Sequence, residues 1–554
     1  MRNWFKTDAP WLWMNAGALS LSIIMVVGLL GLIAVRGFAH FWPAEIVTTT
    51  WTSPSGDRQA VLGEVTDKEV LTAAAAREAG ITVAEGERFV SRYLFKQGNR
   101  DFGRDFTWYL ESQLDSEWEK PREAIMLERR EWGNFYGFAL EIKEDGETVA
   151  SGEQVWPELL SRLERSNQLF DRIRTIERKD IGAINYRQEQ LRLQERRIDL
   201  NESLSDAEKE AAKAEISAQY TPLEEAYDIQ RQRLDDLRKE MDRHVLVASL
   251  ADGRQVQLPL SMIVRATRPN AMSLAEKASY YTTRIIEFVT DYPREANTEG
   301  GIFPAIFGTV TMVLLMTVFV TPFGVLAALY LREYAKQGPI LKIIRISVYN
   351  LAGVPSIVFG VFGVGFFVYF LGGNIDQIFF PEALPAPTFG TPGLFWVSLT
   401  LALLTLPVVI VATEEGLARI PRSLREGSYA LGATKAETLW KVVVPLATPA
   451  MMTGMILAVA RAAGEVAPLM LVGVVKLAPS LPIDGYAPFV HLERKIMHLG
   501  FHIYDVGFQS PNVEAARPLV YATALMLVIL ILVLNLSAIA IRNHLREKYK
   551  SEAD

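Results

Sequence analysis

Six apolar stretches constrain this chain more than any other feature: residues 11–35, 302–331, 346–371, 393–413, 449–475 and 517–541. Each is long enough to cross a bilayer core as a helix. In lipid the backbone must bond within the segment, so six transmembrane helices follow. Trp11 and Trp13 stand at one end of the first stretch, and Phe41 and Trp42 follow it. Aromatic residues at both ends suit a span between two interfaces. The stretch is too long for a signal-peptide core and no small-x-small cleavage site follows, so it reads as a retained anchor.

Loop charges set the orientation. The 332–345 link carries Arg332, Lys336, Lys342 and Arg345, and the 414–448 loop carries Arg419, Arg422, Arg425, Lys435 and Lys441. The 372–392 link has no lysine or arginine, while the tail after Ile541 is basic again. Both termini are therefore expected inside and residues 44–300 outside. Half the residues are hydrophobic and 22% are charged, as a membrane domain beside an aqueous one requires. A net charge of −7 argues against nucleic acid. With no cysteine, no disulfide, thiolate metal site or cysteine nucleophile is possible.

The pattern divides the chain into an anchor (1–43), an aqueous domain (44–300), a five-helix core (301–541) and a basic tail (542–554). In the aqueous domain, Asp145-Gly146 and Asp252-Gly253 each separate alternating apolar runs, a hairpin signal. Residues 158–243 are charged and helical in pattern. Leu163, Phe170, Ile184, Leu191 and Ile198 share a seven-residue spacing broken at Glu177. Leu223, Tyr227, Leu234, Leu237 and Met241 form a second seam entered at Thr221-Pro222, and Ser205 with Glu208 caps a helix between. A helical hairpin or coiled-coil arm is expected. Its charges read either as a solvated face or as a docking surface.

The 414–448 loop predicts two short helices. Ser423 and Glu426 have capping-box spacing, so the first starts near Leu424, and Gly432 ends it. Thr434 and Glu437 cap the second, which Pro445 stops. Thr448-Pro449 then opens a span continuing to about Val475. Glu426-Gly427-Ser428, Gly432 and Val442-x-Val444-Pro445 resemble the EAA loop of ABC importer permeases, with conservative departures. In that family the helix-turn-helix docks on an ATPase subunit. The resemblance assigns that coupling role to Arg425, Glu426, Gly427, Ser428, Gly432, Ala433, Thr434 and Pro445.

At about 1.5 Å per residue, Arg461 lies about 18 Å along a helix beginning at Pro449, mid-membrane, with Glu465 one turn on. A charge there faces a bundle interior or an aqueous path. The two residues read as a neutralising pair that fixes packing, or as an anion gate whose guanidinium offers forked donors to an oxyanion. Asn350, Pro355 and Ser356 on the third span read as a kink or as pore lining. Gly360, Gly363 and Gly365 are expected to permit close helix contact. His498 and His502 have an i, i+4 metal spacing and His491 precedes them, but no third ligand set is evident; an amphipathic interfacial helix is expected.

Residues 422–434 (RSLREGSYALGAT), 461–468 (RAAGEVAP), 350–363 (NLAGVPSIVFGVFG) and 308–335, which ends in LREYA, resemble phosphate-importer permeases of the PstA type. Residues 98–108, GNRDFGRDFTW, are similar to the extension of longer members. The resemblance implies an α-helical polytopic membrane protein of the type I ABC importer permease fold, here with a large α+β extracytoplasmic insertion. It implies phosphate passage at Arg461 and Glu465, with Asn350 and Ser356 on the pathway. It also implies a bacterial inner-membrane location, a PstC-type second permease, a homodimeric ATPase on the cytoplasmic face and an extracytoplasmic phosphate-binding protein. No Gly-Lys dipeptide occurs, so no Walker A loop is present and no cofactor is expected. Transport of sulfate or molybdate, or a receptor or scaffold with an outer sensing domain, are the rival readings.

Overall fold

The computed structural model describes residues 8–81, 86–103, 105–510 and 513–551. They form two compact units. One comprises Met1–His40, Phe288–Phe380 and Leu384–Asp554; the other comprises Phe41–Glu287 with Pro381–Ala383.

In the first unit six helices are long and apolar enough to cross a membrane: Pro10–Ala39, Phe303–Tyr334, Ser356–Phe379, Leu394–Ala418, Lys435–Gly464 and Ala516–Glu547. The fourth is the most enclosed, and small residues let its neighbours approach. A Cβ at Gly324 of the second span would lie 2.6 Å from Val409, and one at Gly454 of the fifth would lie 2.5 Å from Ala412. The first span buries none of its apolar window, but Gly37 meets the sixth span, where the Arg36 guanidinium sits 5.6 Å from the Tyr521 ring centre.

Two spans depart from the sequence reading. The third does not begin at 346: Pro339–Leu351 forms a separate amphipathic helix, and the chain turns at Gly353–Pro355 before Ser356. Proline disfavours helical geometry in the residue before it, so the break falls there. Asn350 is consequently an exposed residue of the preceding helix rather than part of the span. The fifth span begins at Lys435 and ends at Gly464, well before Val475. Pro445 does not stop the second coupling helix, because a π-turn at Leu439–Val443 widens the helix just ahead of it. That local widening relieves the clash a proline makes with the preceding turn. Thr448 is no N-cap; its hydroxyl bonds the Val444 carbonyl inside the same helix.

The second unit carries two antiparallel sheets. The first runs β1 (Ile46–Thr52), β2 (Arg58–Thr72), β3 (Phe89–Lys96) and β4 (Phe106–Leu110) in chain order. The second contains β5 (Ile125–Arg129), β6 (Phe135–Glu144), β7 (Glu147–Ser151), β8 (His244–Ser249), β9 (Gln255–Pro259) and β10 (Ile263–Thr267), ordered β10-β5-β6-β8-β9 with β7 also on β6. Both Asp-Gly pairs turn hairpins, β6–β7 and β8–β9, with Asp145, Gly146 and Gly253 at positive φ.

Between β7 and β8 rises a helical arm: Val155–Thr175, Ile181–Leu200 and the returning Asp206–Asp242. The Ser205–Glu208 capping box forms in full. The seam breaks at Glu177 because a π-turn, Ile176–Asp180, resets its phase, and Ile173 and Ile176 meet Leu234 across the hairpin. Pro222 lies inside the returning helix instead of opening it. In the 98–108 segment, Arg104 lies outside the described residues. Asp101 takes two hydrogen bonds from the buried Arg129, and Asn99 bonds both backbone groups of Tyr136. That segment therefore pins its loop to β5 and β6.

Candidate functional site: a knob and a mid-bundle arginine

The helix after the fourth span is Arg422–Ala430. It starts two residues before Leu424, and the Ser423–Glu426 box does not form. Its end is as expected: Gly432 has φ +86°, its N–H bonds the Tyr429 carbonyl, and the Ala433 N–H bonds that of Ser428. These two bonds make a Schellman motif. Thr434 and Glu437 then form a complete capping box, which opens the fifth span itself. The Ser428 hydroxyl lies 2.8 Å from that of buried Thr438, tying the Arg422–Ala430 helix to the fifth span. Glu426 and Gly427 face solvent, as do Leu424, Tyr429 and, at 91% exposure, Leu431.

A clamp that the sequence reading did not find holds this knob. Arg425 donates to Glu333 at 2.9 Å and to the Leu417 carbonyl at 3.0 Å, answering an open carbonyl at the end of the fourth span. Lys435 bonds the Glu333 carbonyl and lies over the Tyr334 ring. Glu333 thus joins the end of the second span to both arms of the knob. Close by, Arg345 bonds the Leu331 carbonyl and pairs with buried Glu414 at 3.3 Å. The signal was present in the LREYA run, but only the fold shows which basic residues reach its glutamate.

Helix contacts fix the level of Arg461. Gly416 abuts Ala450 and Gly454 abuts Ala412, so the fourth and fifth spans run antiparallel in step. Seven residues beyond the Gly454–Ala412 contact, Arg461 is level with Thr405, the middle of the Leu394–Ala418 helix. Here the fifth span ends: Gly464 is its last residue and Glu465 is extended at ψ 137°. After Pro468 a single short turn, Leu469–Val472, follows. Arg461 in the last turn offsets the partial negative charge of the open carbonyls. Its Nε is 3.6 Å from Glu465 Oε1, an ion pair without a hydrogen bond, and its side chain keeps 35% exposure against 19% for Glu465. Among the described residues the Arg461 guanidinium makes no hydrogen bond, which leaves its forked donors uncommitted.

Glycines wedge this unwound segment in place. A Cβ at Gly360 would meet Pro468 Cα at 2.7 Å, and one at Gly500 would meet Val466 at 2.6 Å. Gly363 touches Thr400 and Val472, whereas Gly365 has open space and makes no such contact. Ser356 begins the third span, half-buried. The expected interfacial helix is instead the short, largely buried Leu499–Tyr504. His498 caps it, Nδ1 accepting from the Gly500 and Phe501 N–H groups, and burial lowers its pKa to about 4. His502 is lowered to about 4 by burial as well. His491 lies between Asp484 and Glu493 at 2.9 and 3.1 Å. Among the described residues no three His, Cys, Asp or Glu side chains converge to hold a metal.

Residues 320–551 match the family described as binding-protein-dependent transport system inner membrane component. Phosphate transport system permease protein PstA 1 of Mycobacterium tuberculosis is 34% identical over 247 residues, 44% of this chain and 71% of that protein. The chain belongs to the PstA family of permeases. PstA proteins of Mycobacterium leprae and Yersinia pestis are 36% and 33% identical over 71% of their lengths, covering 44% and 43% of this chain. Among solved structures, the inward-facing MetNI methionine ABC transporter is similar over 44% of this chain and 94% of its own, with 17% identity and a TM-score of 0.32. The family match, residues 320–551, takes in the knob and does not reach the strands of the second unit or its arm.

Proposed function

We propose that this chain is the transmembrane permease subunit of an ATP-driven importer of inorganic phosphate. The observation that carries the reading is a guanidinium in the last turn of the fifth span, level with the middle of the enclosed fourth span, beside an unwound segment and loosely held by one carboxylate. Irregular backbone at membrane depth is tolerated where it lines a cavity, and ionisable groups there mark substrate paths. Phosphate oxygens match the forked donors of Arg461, and Glu465 would hold the arginine between passages. Ser356 lies on the same path; Asn350, at the end of the preceding helix, belongs at its inner mouth.

In this reading the knob and both termini face the cytoplasm, and residues 44–300 face the periplasm. A homodimeric ATPase docks on the knob, where exposed Leu431, Leu424 and Tyr429 give it an apolar contact. A PstC-type second permease and an external phosphate-binding protein complete the importer. ATP turnover then moves the site between the two faces, with Glu333, Arg425 and Lys435 passing the motion of the knob to the second span.

Arg461→Gln should leave the complex assembled and abolish phosphate uptake by proteoliposomes. Unchanged uptake would remove Arg461 from the path. In the unaltered importer, ATPase activity should be stimulated by phosphate but not by sulfate or molybdate; the reverse order would reassign the substrate.

A further inference from the structure

We infer that the membrane unit holds an anionic phosphate group at the knob end of the bundle, at a site separate from Arg461. A cavity of about 490 Å³ opens there between the end of the fourth span, the knob, the start of the fifth span and the C-terminal helix. Arg419, Arg542 and Arg546 line it, and no carboxylate does. Among the described residues none of the three has an ion-pair partner; Arg542 reaches only Thr453 at 3.5 Å and Asn543 at 3.4 Å. Three like charges around one open volume repel each other unless an anion joins them. Guanidinium forks suit the oxygens of a phosphate group, monoester, diester or free.

The rest of the lining identifies the favoured source. Ile420, Leu424, Leu446, Pro449 and Ala450 supply apolar walls beside the arginines. Basic pockets between spans, at the level where apolar sequence stops, are a recognition site for anionic phospholipid headgroups. The acyl chains would lie along the apolar wall while the phosphate bridges Arg419 to Arg542 and Arg546. Such a bridge fastens the C-terminal helix to the root of the knob, so occupancy would stiffen the coupling region. The site itself does not depend on which face is cytoplasmic, because both leaflets present headgroups.

The test uses the purified importer complex in nanodiscs of mixed phosphatidylcholine and phosphatidylglycerol, with native mass spectrometry counting retained lipid. The complex should retain phosphatidylglycerol selectively, and R419Q/R546Q should lower that retention about tenfold. Lys342→Gln, at a cation that does not line the cavity, should not. A second arm uses phosphatidylcholine discs and inorganic phosphate. Phosphate binding that persists in Arg461→Gln but disappears in R419Q/R546Q would keep the site and assign it to free phosphate. If neither ligand binds in a way that R419Q/R546Q removes, or if Lys342→Gln lowers retention equally, the site is overturned. These residues are exposed and the readout is binding, so failure of the transport reading would leave the result interpretable.

Discussion

Removing the Glu333–Arg425 clamp should uncouple the knob from the second span. The pair is 2.9 Å apart, with side chains 13% and 16% exposed. Exposed pairs contribute at most about 1 kcal/mol, whereas breaking a fully buried one costs about 3–5 kcal/mol. A mostly enclosed, hydrogen-bonded pair belongs between, at about 2 kcal/mol. Arg425→Ala should cost more than Glu333→Ala, since it also leaves the Leu417 carbonyl unanswered. A double-mutant cycle on reversible unfolding in mixed micelles should give a coupling of about 2 kcal/mol, and phosphate-stimulated ATPase activity should fall in each single variant. Costs that add to within about 0.5 kcal/mol would show that the two residues do not act together, and the clamp would have to be abandoned.

Three other outcomes follow from the same geometry. Gly432→Val should cost about 1–2 kcal/mol through its positive φ alone, since no atom lies within 4 Å of a Cβ there, and should weaken ATPase retention on affinity columns; Gly432→Asn should recover most of it. Gly360→Ala should destabilise by about 1–3 kcal/mol and slow uptake by pushing Pro468, while Gly365→Ala should do neither in melting and uptake assays. His498 has a folded pKa of about 4, below its unfolded value of about 6.5, so the stability it lends is present above pH 6.5 and lost as pH falls toward 4. His498→Asn keeps a capping acceptor and should flatten that part of the thermal-stability profile, leaving the share due to His502.

The spans were legible because each carries enough apolar residues to cross hydrocarbon, and the hairpins because Asp-Gly takes positive φ readily. The Thr434–Glu437 box and the Gly432 stop were legible because both are local chemistry. Three proline readings failed. Pro222, Pro445 and Pro449 lie inside helices; at Pro445 the preceding π-turn makes room for the ring. Pro355 behaved the other way and opened a span that the apolar count had begun earlier. In the site, Arg461 was found as a charge in apolar sequence. The unwinding at Glu465 was not, although Gly464 and Pro468 signal a break, because the apolar run that resumes at Leu469 extended the span to Val475. The Glu333 clamp spans ninety-two positions and no periodicity could have announced it.

The fifth span is built as a lever. From Lys435 to Arg461 it is one continuous helix, about 39 Å long at 1.5 Å per residue. Pivoting such a rod by about 5° at its lower end would carry the upper end sideways by about 3 Å, roughly the length of a hydrogen bond. Small rotations imposed on the knob would then suffice to shift the Arg461 guanidinium by that distance, without any rearrangement between them.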